Sequence, residues 1–245
     1  MTGIQCRDVR FYDIEAVIFD KDGTLANSES FLRSLGQKRS RLIDAQIPGV
    51  GEPLLMAFGI ADDNLDPTGL MAVGSRQENE IAAAAYIAET GRGWLESLDI
   101  ARKAFDEAEK LFGNEGPAPM FEGSLEMLKL LSGKGLKLGI LSADTTDKVQ
   151  DFVSHHQLEN YIELAMGVDS GPSKPDPSLF IKGCQSLGVE PAATLMVGDS
   201  PVDIDMANRA GAAGCIAISW GKPRGDRLQG ASVAIAHLNE IRVIS

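Results

Sequence analysis

Short apolar runs alternate with amphipathic segments along much of this chain. Four of the runs are short, aliphatic and followed at once by polar residues, as buried strands are. They cover residues 15–20, 136–142, 194–199 and 215–219, and a weaker run covers residues 162–166. Segments with helical spacing of apolar residues lie between them, at residues 121–131, 146–156 and 177–187. Strands that alternate with helices predict an α/β fold, with a Rossmann-like parallel sheet covered by helices on both faces.

Residues 27–115 interrupt this alternation, because they contain almost no strand-like runs. Ser75 and Glu78 have the spacing of a capping box, and the apolar residues between positions 94 and 112 repeat at helical intervals. Residues 62–69 have the composition of a loop. We therefore predict two domains, an α/β core from residues 1–26 and 116–245 and an inserted helical domain from residues 27–115.

Both ends of the chain carry weaker signals. Residues 4–13 alternate between apolar and polar positions, which predicts an edge strand added to the sheet. Residues 233–236 predict a last short strand, and the glycine-rich residues 221–230 predict a loop before it. In the core, the sequence Asp176-Pro177 has a capping carboxylate before proline and predicts the start of a helix.

Composition and charge narrow the class of protein. Of 245 residues, 44% are hydrophobic and 24% charged, as in soluble globular chains. The formal net charge of −12 argues against nucleic-acid binding, which requires a basic face. The three cysteines are far apart and odd in number, so neither a disulfide framework nor a zinc site is predicted. No apolar run reaches the roughly 20 residues of a membrane helix or resembles a signal peptide, so we expect a cytoplasmic protein without membrane contact.

Four groups of polar residues lie at or near the ends of the predicted strands. They are Asp20-Lys21-Asp22-Gly23-Thr24, Ser142, Lys174-Pro175-Asp176 and Gly198-Asp199-Ser200-Pro201-Val202-Asp203. In an open parallel sheet, ligands bind beyond the carboxyl ends of the strands. These side chains are therefore candidates for one shared site.

In order and spacing, these groups resemble the motifs of the haloacid dehalogenase superfamily. Its phosphatases carry DxDGT after an apolar strand, then Ser or Thr after a second strand, then Lys, then GDxxxD. The helical insert after the first motif resembles the cap domain of the phosphoglycolate phosphatase-like branch. The resemblance implies a magnesium-dependent phosphatase that acts on a small phosphorylated metabolite. Lys21 departs from the pattern, since many relatives carry an apolar residue between the two aspartates.

The first motif supplies the groups that break and form bonds. Phosphoryl transfer requires a nucleophile, a proton for the leaving oxygen and positive charge near the phosphoryl oxygens. Asp20 is the predicted nucleophile, which forms an aspartyl-phosphate. Asp22 is the predicted general acid and, in the second step, the general base. Gly23 allows the tight bend, and we expect Thr24 to fix it by hydrogen bonding and to lie in the substrate-binding site.

The second and third motifs supply groups that bind the phosphate. Ser142 and the backbone N–H of Ala143 are predicted to hold a phosphate oxygen at a strand-to-helix junction. Lys174 is predicted to offset the repulsion between Asp20 and the anionic substrate. Asp144, close to Ser142, is interpreted as a helix cap.

The aspartates of the first and fourth motifs form a candidate magnesium site, because Mg²⁺ prefers oxygen ligands. Asp20 and Asp199 are the predicted side-chain ligands, and the family resemblance implies the backbone carbonyl of Asp22 as a third. Asp203 lies one helical turn beyond Asp199 and is also assigned to the candidate magnesium site. There it would either hold a metal-bound water or pair with Lys174.

Other functions on the same scaffold stay open. A sugar-phosphate mutase uses the same four motifs, and only the inserted domain distinguishes it. A phosphonate hydrolase requires an amine in that domain, for which Lys38 is the candidate, although a solvated helix face explains Lys38 more simply. Asp22 argues against a dehalogenase, which needs no acid for a leaving alkoxide. A binding module without activity is least favoured, because every expected catalytic position is filled.

The inserted domain is expected to contact the substrate when it closes over the site. The cations considered for this role are Arg33, Lys38, Arg39 and Arg41. Both a monomer and a homodimer are compatible with the sequence.

Overall fold

The computed structural model describes residues 2–112, 116–222 and 228–244, which form two compact units. One, here called the α/β unit, comprises Met1–Asn27 and Pro119–Ser245. The other, here called the helical unit, comprises Ser28–Ala118. Residues 223–227 of the predicted loop lie outside the described residues.

The elements are numbered in chain order through both units. The strands are β1 (Thr2–Cys6), β2 (Val9–Ile14), β3 (Ala16–Phe19), β4 (Ile60–Ala61), β5 (Asn64–Leu65), β6 (Lys137–Leu141), β7 (Leu164–Met166), β8 (Thr194–Gly198), β9 (Gly214–Ile218), β10 (Val233–Ile235) and β11 (Ile241–Ile244). The helices are α1 (Glu29–Gln46), α2 (Gly51–Phe58), α3 (Leu70–Val73), α4 (Arg76–Glu89), α5 (Trp94–Phe112), α6 (Ser124–Gly133), α7 (Thr146–His155), α8 (Pro177–Leu187) and α9 (Pro201–Ala210).

Six parallel strands form the central sheet of the α/β unit, in the order β10-β9-β8-β3-β6-β7. Phe19 at the end of β3 is in register with Ile140 on β6 and with Val197 on β8. All four residues of β3 are buried, as expected for a parallel strand with both faces covered. This confirms the predicted α/β fold class. The carboxyl ends of β3, β6 and β8 therefore meet at one edge of the sheet.

An apolar core joins the central sheet to helices α8 and α9. Ile18 of β3 and Met196 of β8 pack in this core with Phe180 of α8 and Ile204 of α9. Because both helices are anchored by buried side chains, the loops that precede them have fixed end points. Those loops carry the residues of the third and fourth motifs.

The starts of α8 and α9 follow the predicted chemistry of helix termini. At α8, Oδ1 of Asp176 accepts a hydrogen bond of 2.9 Å from the backbone N–H of Ser178, and Pro177 is the first helical residue. At α9, Ser200 precedes Pro201 in the same way. The predicted helix start at Asp176-Pro177 is thus confirmed.

A separate antiparallel sheet, in the order β11-β1-β2, pairs the beginning of the chain with its last described strand. The prediction of one edge strand at residues 4–13 is therefore wrong: β1 and β2 form a hairpin outside the central sheet. Arg7, with a φ of 55°, lies in the two-residue turn between them. A hairpin makes its strands antiparallel, whereas the central sheet is parallel throughout. The strand predicted at residues 233–236 is confirmed as β10 at an edge of that sheet.

The helical unit has its own apolar core. Leu54 and Phe58 of α2, Ile87 of α4 and Phe105 of α5 are fully buried there. The rings of Phe58 and Phe105 meet edge to face, with centroids 6.3 Å apart. These residues explain why a stretch with few strand signals still folds as a compact helical unit.

Two local predictions for the helical unit, a capping box before α4 and a loop at residues 62–69, have different outcomes. The capping box predicted before α4 is present, since the backbone N–H of Ser75 donates to Oε2 of Glu78 at 2.7 Å. The loop predicted at residues 62–69 is in part a short hairpin, because β5 pairs with β4. Among the helices of the described residues, none has the length and apolar character needed to cross a membrane.

Candidate active site

Asp20 lies directly after β3, in the middle of the carboxyl edge of the central sheet. Its backbone N–H donates to the carbonyl oxygen of Val197 on β8 at 2.8 Å, so strand pairing continues up to this residue. The side chain is only 9% exposed. The central position of β3 therefore places a buried carboxylate between the ends of β6 and β8.

The ammonium group of Lys174 lies between two buried carboxylates. Its Nζ is 2.5 Å from Oδ1 of Asp20 and 2.8 Å from Oδ1 of Asp203. The Lys174 and Asp203 side chains are 2% and 1% exposed, so little water screens these ion pairs. Residues that are far apart in the sequence thus form one charged cluster.

Asp203 is held in place by the start of α9. Its Oδ2 accepts hydrogen bonds from the backbone N–H of Ser200 at 3.2 Å and from the Ser200 hydroxyl at 2.7 Å. Its other oxygen faces Lys174. Two roles were considered for Asp203, namely holding a metal-bound water and pairing with Lys174. The structure contains the ion pair with Lys174.

Asp199 follows β8 and lies against the turn after Asp20. Gly23 in that turn has a φ of 83°, and a β-carbon at this position would collide with the Asp199 carboxylate. Glycine therefore allows both the left-handed backbone and the close approach. One carboxylate oxygen from each of Asp20, Asp199 and Asp203 lies within 4.8 Å of the others. Such a group of hard oxygen donors is suited to a divalent cation.

The acidic cluster carries more negative charge than Lys174 balances. Burial raises the pKa of Asp20 well above its ordinary value, and the carboxylates of Asp203, Asp199 and Asp22 add to this, while Lys174 acts against it. Burial disfavours the charged form of Lys174, but Asp20 and Asp203 outweigh it and raise the pKa of Lys174. Oδ2 of Asp20 is buried and has no hydrogen-bond partner among the described residues. The excess charge and this oxygen both fit a bound cation.

Backbone hydrogen bonds fix the turn that follows Asp20. The N–H groups of Leu25 and Ala26 both donate to the carbonyl oxygen of Lys21, at 3.0 and 2.8 Å. The expectation that the Thr24 side chain fixes this turn is wrong. Its Oγ1 is buried and makes no hydrogen bond within the part of the chain that the structure describes.

Ser142 and Ala143 follow β6 at the same edge of the sheet. Ser142 is buried, and its Oγ accepts a hydrogen bond of 3.1 Å from the backbone N–H of Asp144, so its proton is available to a different acceptor. Ala143 is half-buried. The interpretation of Asp144 as a helix cap is wrong, because Thr145 is the residue at the N-cap of α7. The Asp144 carboxylate instead pairs with Lys21.

Lys21 lies beside the second aspartate of its own motif. Its Nζ is 2.7 Å from Oδ2 of Asp22 and 3.1 Å from Oδ2 of Asp144. Burial disfavours the ammonium form, yet the two carboxylates outweigh it and raise the pKa of Lys21 above its ordinary value. The charge of Lys21 is therefore matched locally by two carboxylates.

The cations considered for substrate contact have different surroundings within the helical unit. The guanidinium of Arg39 lies 4.1 Å from the ring centre of Phe105, and its Nη2 is 2.9 Å from Oε1 of Glu109. Arg39 is 4% exposed and belongs to the interior of the helical unit, which removes it from the candidates. The remaining candidates are Arg33 and Lys38, both half-buried, and Arg41, which is exposed.

Trp220 contacts the site, although no motif or spacing in the sequence predicts it. Its indole N–H donates to the carbonyl oxygen of Gly23 at 3.0 Å, and its ring is stacked on Phe121 with centroids 4.1 Å apart. Trp220 lies just after Ser219 in a segment without periodic pattern, so spacing contains no signal for it. The one signal available was its position soon after β9, at the edge where the other strands end.

Known proteins resemble this chain in sequence and in fold. The haloacid dehalogenase-like hydrolase family matches residues 14–211. The phosphoglycolate phosphatase of Shigella boydii serotype 4 (strain Sb227) is 30% identical over 213 residues, which cover 82% of this chain and 80% of that protein. The crystal structure of a predicted phosphoglycolate phosphatase from Haemophilus somnus 129PT has a TM-score of 0.67 at 21% identity, covering 91% of this chain and 94% of that one. A β-phosphoglucomutase from Clostridium difficile has a TM-score of 0.63 at 18% identity, covering 93% and 92%.

The matched residues include all elements from β3 to α9, and so contain the acidic cluster and Lys174. The chain belongs to the haloacid dehalogenase-like hydrolase family, which confirms the resemblance inferred from the four motifs. Together with the phosphatase relative, this match also confirms the predicted class of enzyme, a phosphatase.

Proposed function

We propose that the protein hydrolyses a small phosphate monoester in a magnesium-dependent reaction that passes through a phosphoryl-aspartate on Asp20. The observation that carries the proposal is the 2.5 Å ion pair between Asp20 and Lys174, next to the carboxylates of Asp199 and Asp203. A nucleophilic carboxylate, a fixed cation and an acidic cluster are the parts that phosphoryl transfer through an aspartate requires.

Mg²⁺ would be held by the carboxylates of Asp20 and Asp199 and by the backbone carbonyl of Asp22. Asp203 adds its charge to the same cluster while it holds Lys174. The buried Oδ2 of Asp20, for which the described residues offer no hydrogen-bond donor, supports this assignment. When bound, the ion supplies positive charge to the phosphoryl oxygens.

In the first step, a carboxylate oxygen of Asp20 forms a bond to phosphorus while the bond from phosphorus to the leaving oxygen breaks. The electron pair of the broken bond stays with the leaving oxygen, which takes a proton from the carboxyl group of Asp22. Lys174 reduces the repulsion between Asp20 and the substrate. The Ser142 hydroxyl and the N–H of Ala143 donate hydrogen bonds to the transferred group.

In the second step, Asp22 acts as a base. Its carboxylate takes a proton from a water molecule as the water oxygen attacks phosphorus. The bond between phosphorus and Asp20 breaks, and inorganic phosphate leaves. Both aspartates then return to their starting protonation states, so the cycle balances.

The helical unit is proposed to be the cap domain that selects the substrate. The relative that is 30% identical is a phosphoglycolate phosphatase, which supports a small, anionic phosphate monoester. Arg33, Lys38 and Arg41 are the cations proposed to recognise an anionic group of the substrate other than its phosphate. Because Arg39 is engaged with Glu109, it serves the fold of this unit.

The proposal is tested by measuring the release of inorganic phosphate from a panel of phosphate monoesters, with Mg²⁺ or with EDTA. We expect release that requires Mg²⁺ and that Asp20→Asn abolishes. Asp205→Asn is the matched control, since Asp205 lies on α9 with a side chain 53% exposed, and it should keep wild-type turnover. Wild-type rates in EDTA or in Asp20→Asn would contradict the proposal. Conversion of a sugar phosphate to its isomer without net phosphate release would indicate a mutase.

A further inference from the structure

The ammonium group of Lys21 is buried between two carboxylates, one of which belongs to the proposed general acid. The Lys21 side chain is 9% exposed, that of Asp22 17% and that of Asp144 24%. These three residues are here called the Lys21 cluster. A buried cation is tolerated only when its partners are close and well placed, and both partners of Lys21 satisfy this condition.

Asp144 is the part of the cluster that lies on a different element. It follows Ser142 and Ala143 at the end of β6, and its carbonyl oxygen accepts a hydrogen bond of 2.7 Å from the N–H of Val168. Its carboxylate also lies 3.6 Å from Nζ of Lys148, on the next helix. The backbone position of Asp144 is thus fixed by β6 and by the segment after β7, which gives Lys21 a stationary partner.

Lys21 connects that stationary partner to Asp22. Its Nζ lies 2.7 Å from Oδ2 of Asp22. A side chain that is held through one oxygen has a fixed direction for the other. In this chain, the residue between the two aspartates of the first motif therefore contacts the proposed acid.

We propose that Lys21, held by Asp144, is a positioning residue that directs Oδ1 of Asp22 toward the leaving oxygen. The inference rests on the proposed function, in which Asp22 donates a proton to that oxygen. In the step concerned, Asp22 is protonated on Oδ1 while its Oδ2 accepts a hydrogen bond from Lys21. The bond from phosphorus to the leaving oxygen breaks, and the proton moves from Oδ1 to the oxygen that keeps the electron pair. Lys21 itself neither gives nor takes a proton and does not touch the substrate.

The proposal predicts an effect that depends on the leaving group. A poor leaving group, such as an alkoxide, requires the proton from Asp22, whereas a nitrophenolate departs without it. Misplacing the acid should therefore slow the cleavage of alkyl phosphates and spare that of nitrophenyl phosphate. A purely structural role for Lys21 would slow both to the same extent.

The experiment compares Lys21→Met with Lys148→Met, using kcat/KM for a series of aryl phosphates and one alkyl phosphate. Both substitutions remove an ammonium group that pairs with Asp144, but only Lys21 also contacts Asp22. We expect Lys21→Met to lose about 10-fold or more on the alkyl phosphate and less than about 3-fold on nitrophenyl phosphate, within the range of general acid catalysis. Lys148→Met should show no dependence on the leaving group, and Lys21→Arg should restore part of the loss.

Asp22→Asn separates the failure of this inference from the failure of the proposed function. If Asp22→Asn shows the leaving-group effect and Lys21→Met does not, the positioning role of Lys21 is overturned and the role of Asp22 stands. If Asp22→Asn shows no such effect, the assignment of Asp22 as the acid is what fails. Asp144→Asn provides a second route to the same answer, since it weakens the partner of Lys21 without altering the first motif, and it should shift the leaving-group dependence in the same direction.

Discussion

The indole N–H of Trp220 donates a hydrogen bond of 3.0 Å to the carbonyl oxygen of Gly23, inside the turn that follows β3. The same indole is stacked on Phe121, whose backbone N–H donates to the carbonyl oxygen of Leu25 at 2.9 Å. Trp220 has a φ of 51°, which is an uncommon conformation for a bulky residue. The surrounding contacts therefore hold Trp220 in place, and Trp220 in turn holds the turn that carries the two aspartates.

Trp220→Phe is expected to lower both stability and activity. The phenyl ring of the variant can still stack on Phe121. The hydrogen bond to the carbonyl oxygen of Gly23 is lost, because phenylalanine has no N–H donor. We expect the free energy of unfolding in urea to fall by about 1 kcal/mol, the usual size of one such bond, and kcat/KM to fall with it. Trp94→Phe in the helical unit, where the side chain is 47% exposed, is the control. Equal effects from both substitutions would show that the Gly23 contact is unimportant.

Gly23→Ala is expected to impair Mg²⁺ binding as well as to strain the backbone. Gly23 has a φ of 83°, and the added methyl group would collide with the carboxylate of Asp199. Gly123 has a φ of 86° in the same unit, but a β-carbon there has no neighbour within 4 Å among the described residues. Both alanine variants should lose about 1 kcal/mol of stability from the left-handed backbone. Only Gly23→Ala should raise the Mg²⁺ concentration needed for half-maximal activity.

If Gly123→Ala changes that Mg²⁺ concentration as much as Gly23→Ala does, the contact between Gly23 and Asp199 does not explain the effect. Thermal unfolding in EDTA gives the stability of each variant without a contribution from the ion. A titration of activity with Mg²⁺ gives the concentration needed for half-maximal activity. The two measurements together separate strain from displacement of Asp199.

Several parts of this arrangement follow from short stretches of sequence. Asp20, Ser142 and Asp199 each end an apolar run, and parallel strands place such ends at one edge of a sheet. The start of α8 follows from a carboxylate before a proline. These features are local, so the pattern of apolar and polar positions is sufficient to predict them.

Other parts depend on contacts between distant residues. The ion pair of Lys21 with Asp144 joins residues 123 positions apart, and the Trp220 contact with Gly23 spans 197 positions. The pairing of β1 with β11 joins the two ends of the described chain. No local periodicity encodes such partners, so the sequence pattern alone favours a helix cap at Asp144 and an edge strand at residues 4–13.

Asp20→Asn is expected to stabilise the protein in the absence of metal. Because the folded state raises the pKa of Asp20, its ionised form is disfavoured by folding, and an uncharged amide of the same size removes that penalty. We expect the free energy of unfolding to increase at neutral pH in EDTA, as is common when a buried functional charge is replaced. Lys174 keeps Asp203 as its partner in this variant.

The stability difference between Asp20→Asn and the wild type should depend on pH, because folding raises the pKa of Asp20. Above the pKa of folded Asp20 the wild-type carboxylate is charged, and the stability gap to Asp20→Asn is largest. As the pH falls below that raised pKa, the folded wild type gains a proton, and the gap should shrink until it closes near the ordinary pKa of an aspartate. Chemical unfolding of both proteins at a series of pH values measures this stability gap. A variant that is less stable than the wild type at neutral pH in EDTA would refute this account of the cluster.

The covalent step on Asp20 is tested most directly by acid quenching during turnover, followed by mass spectrometry of the digested protein. We predict that the peptide containing Asp20 gains the mass of one phosphoryl group while substrate is being consumed, and that this species disappears when the substrate is exhausted. Asp20→Asn should give neither the modified peptide nor phosphate release. Turnover by the wild type without a phosphorylated Asp20 peptide, together with retained turnover in Asp20→Asn, would show that the reaction does not pass through a phosphoryl-aspartate on Asp20.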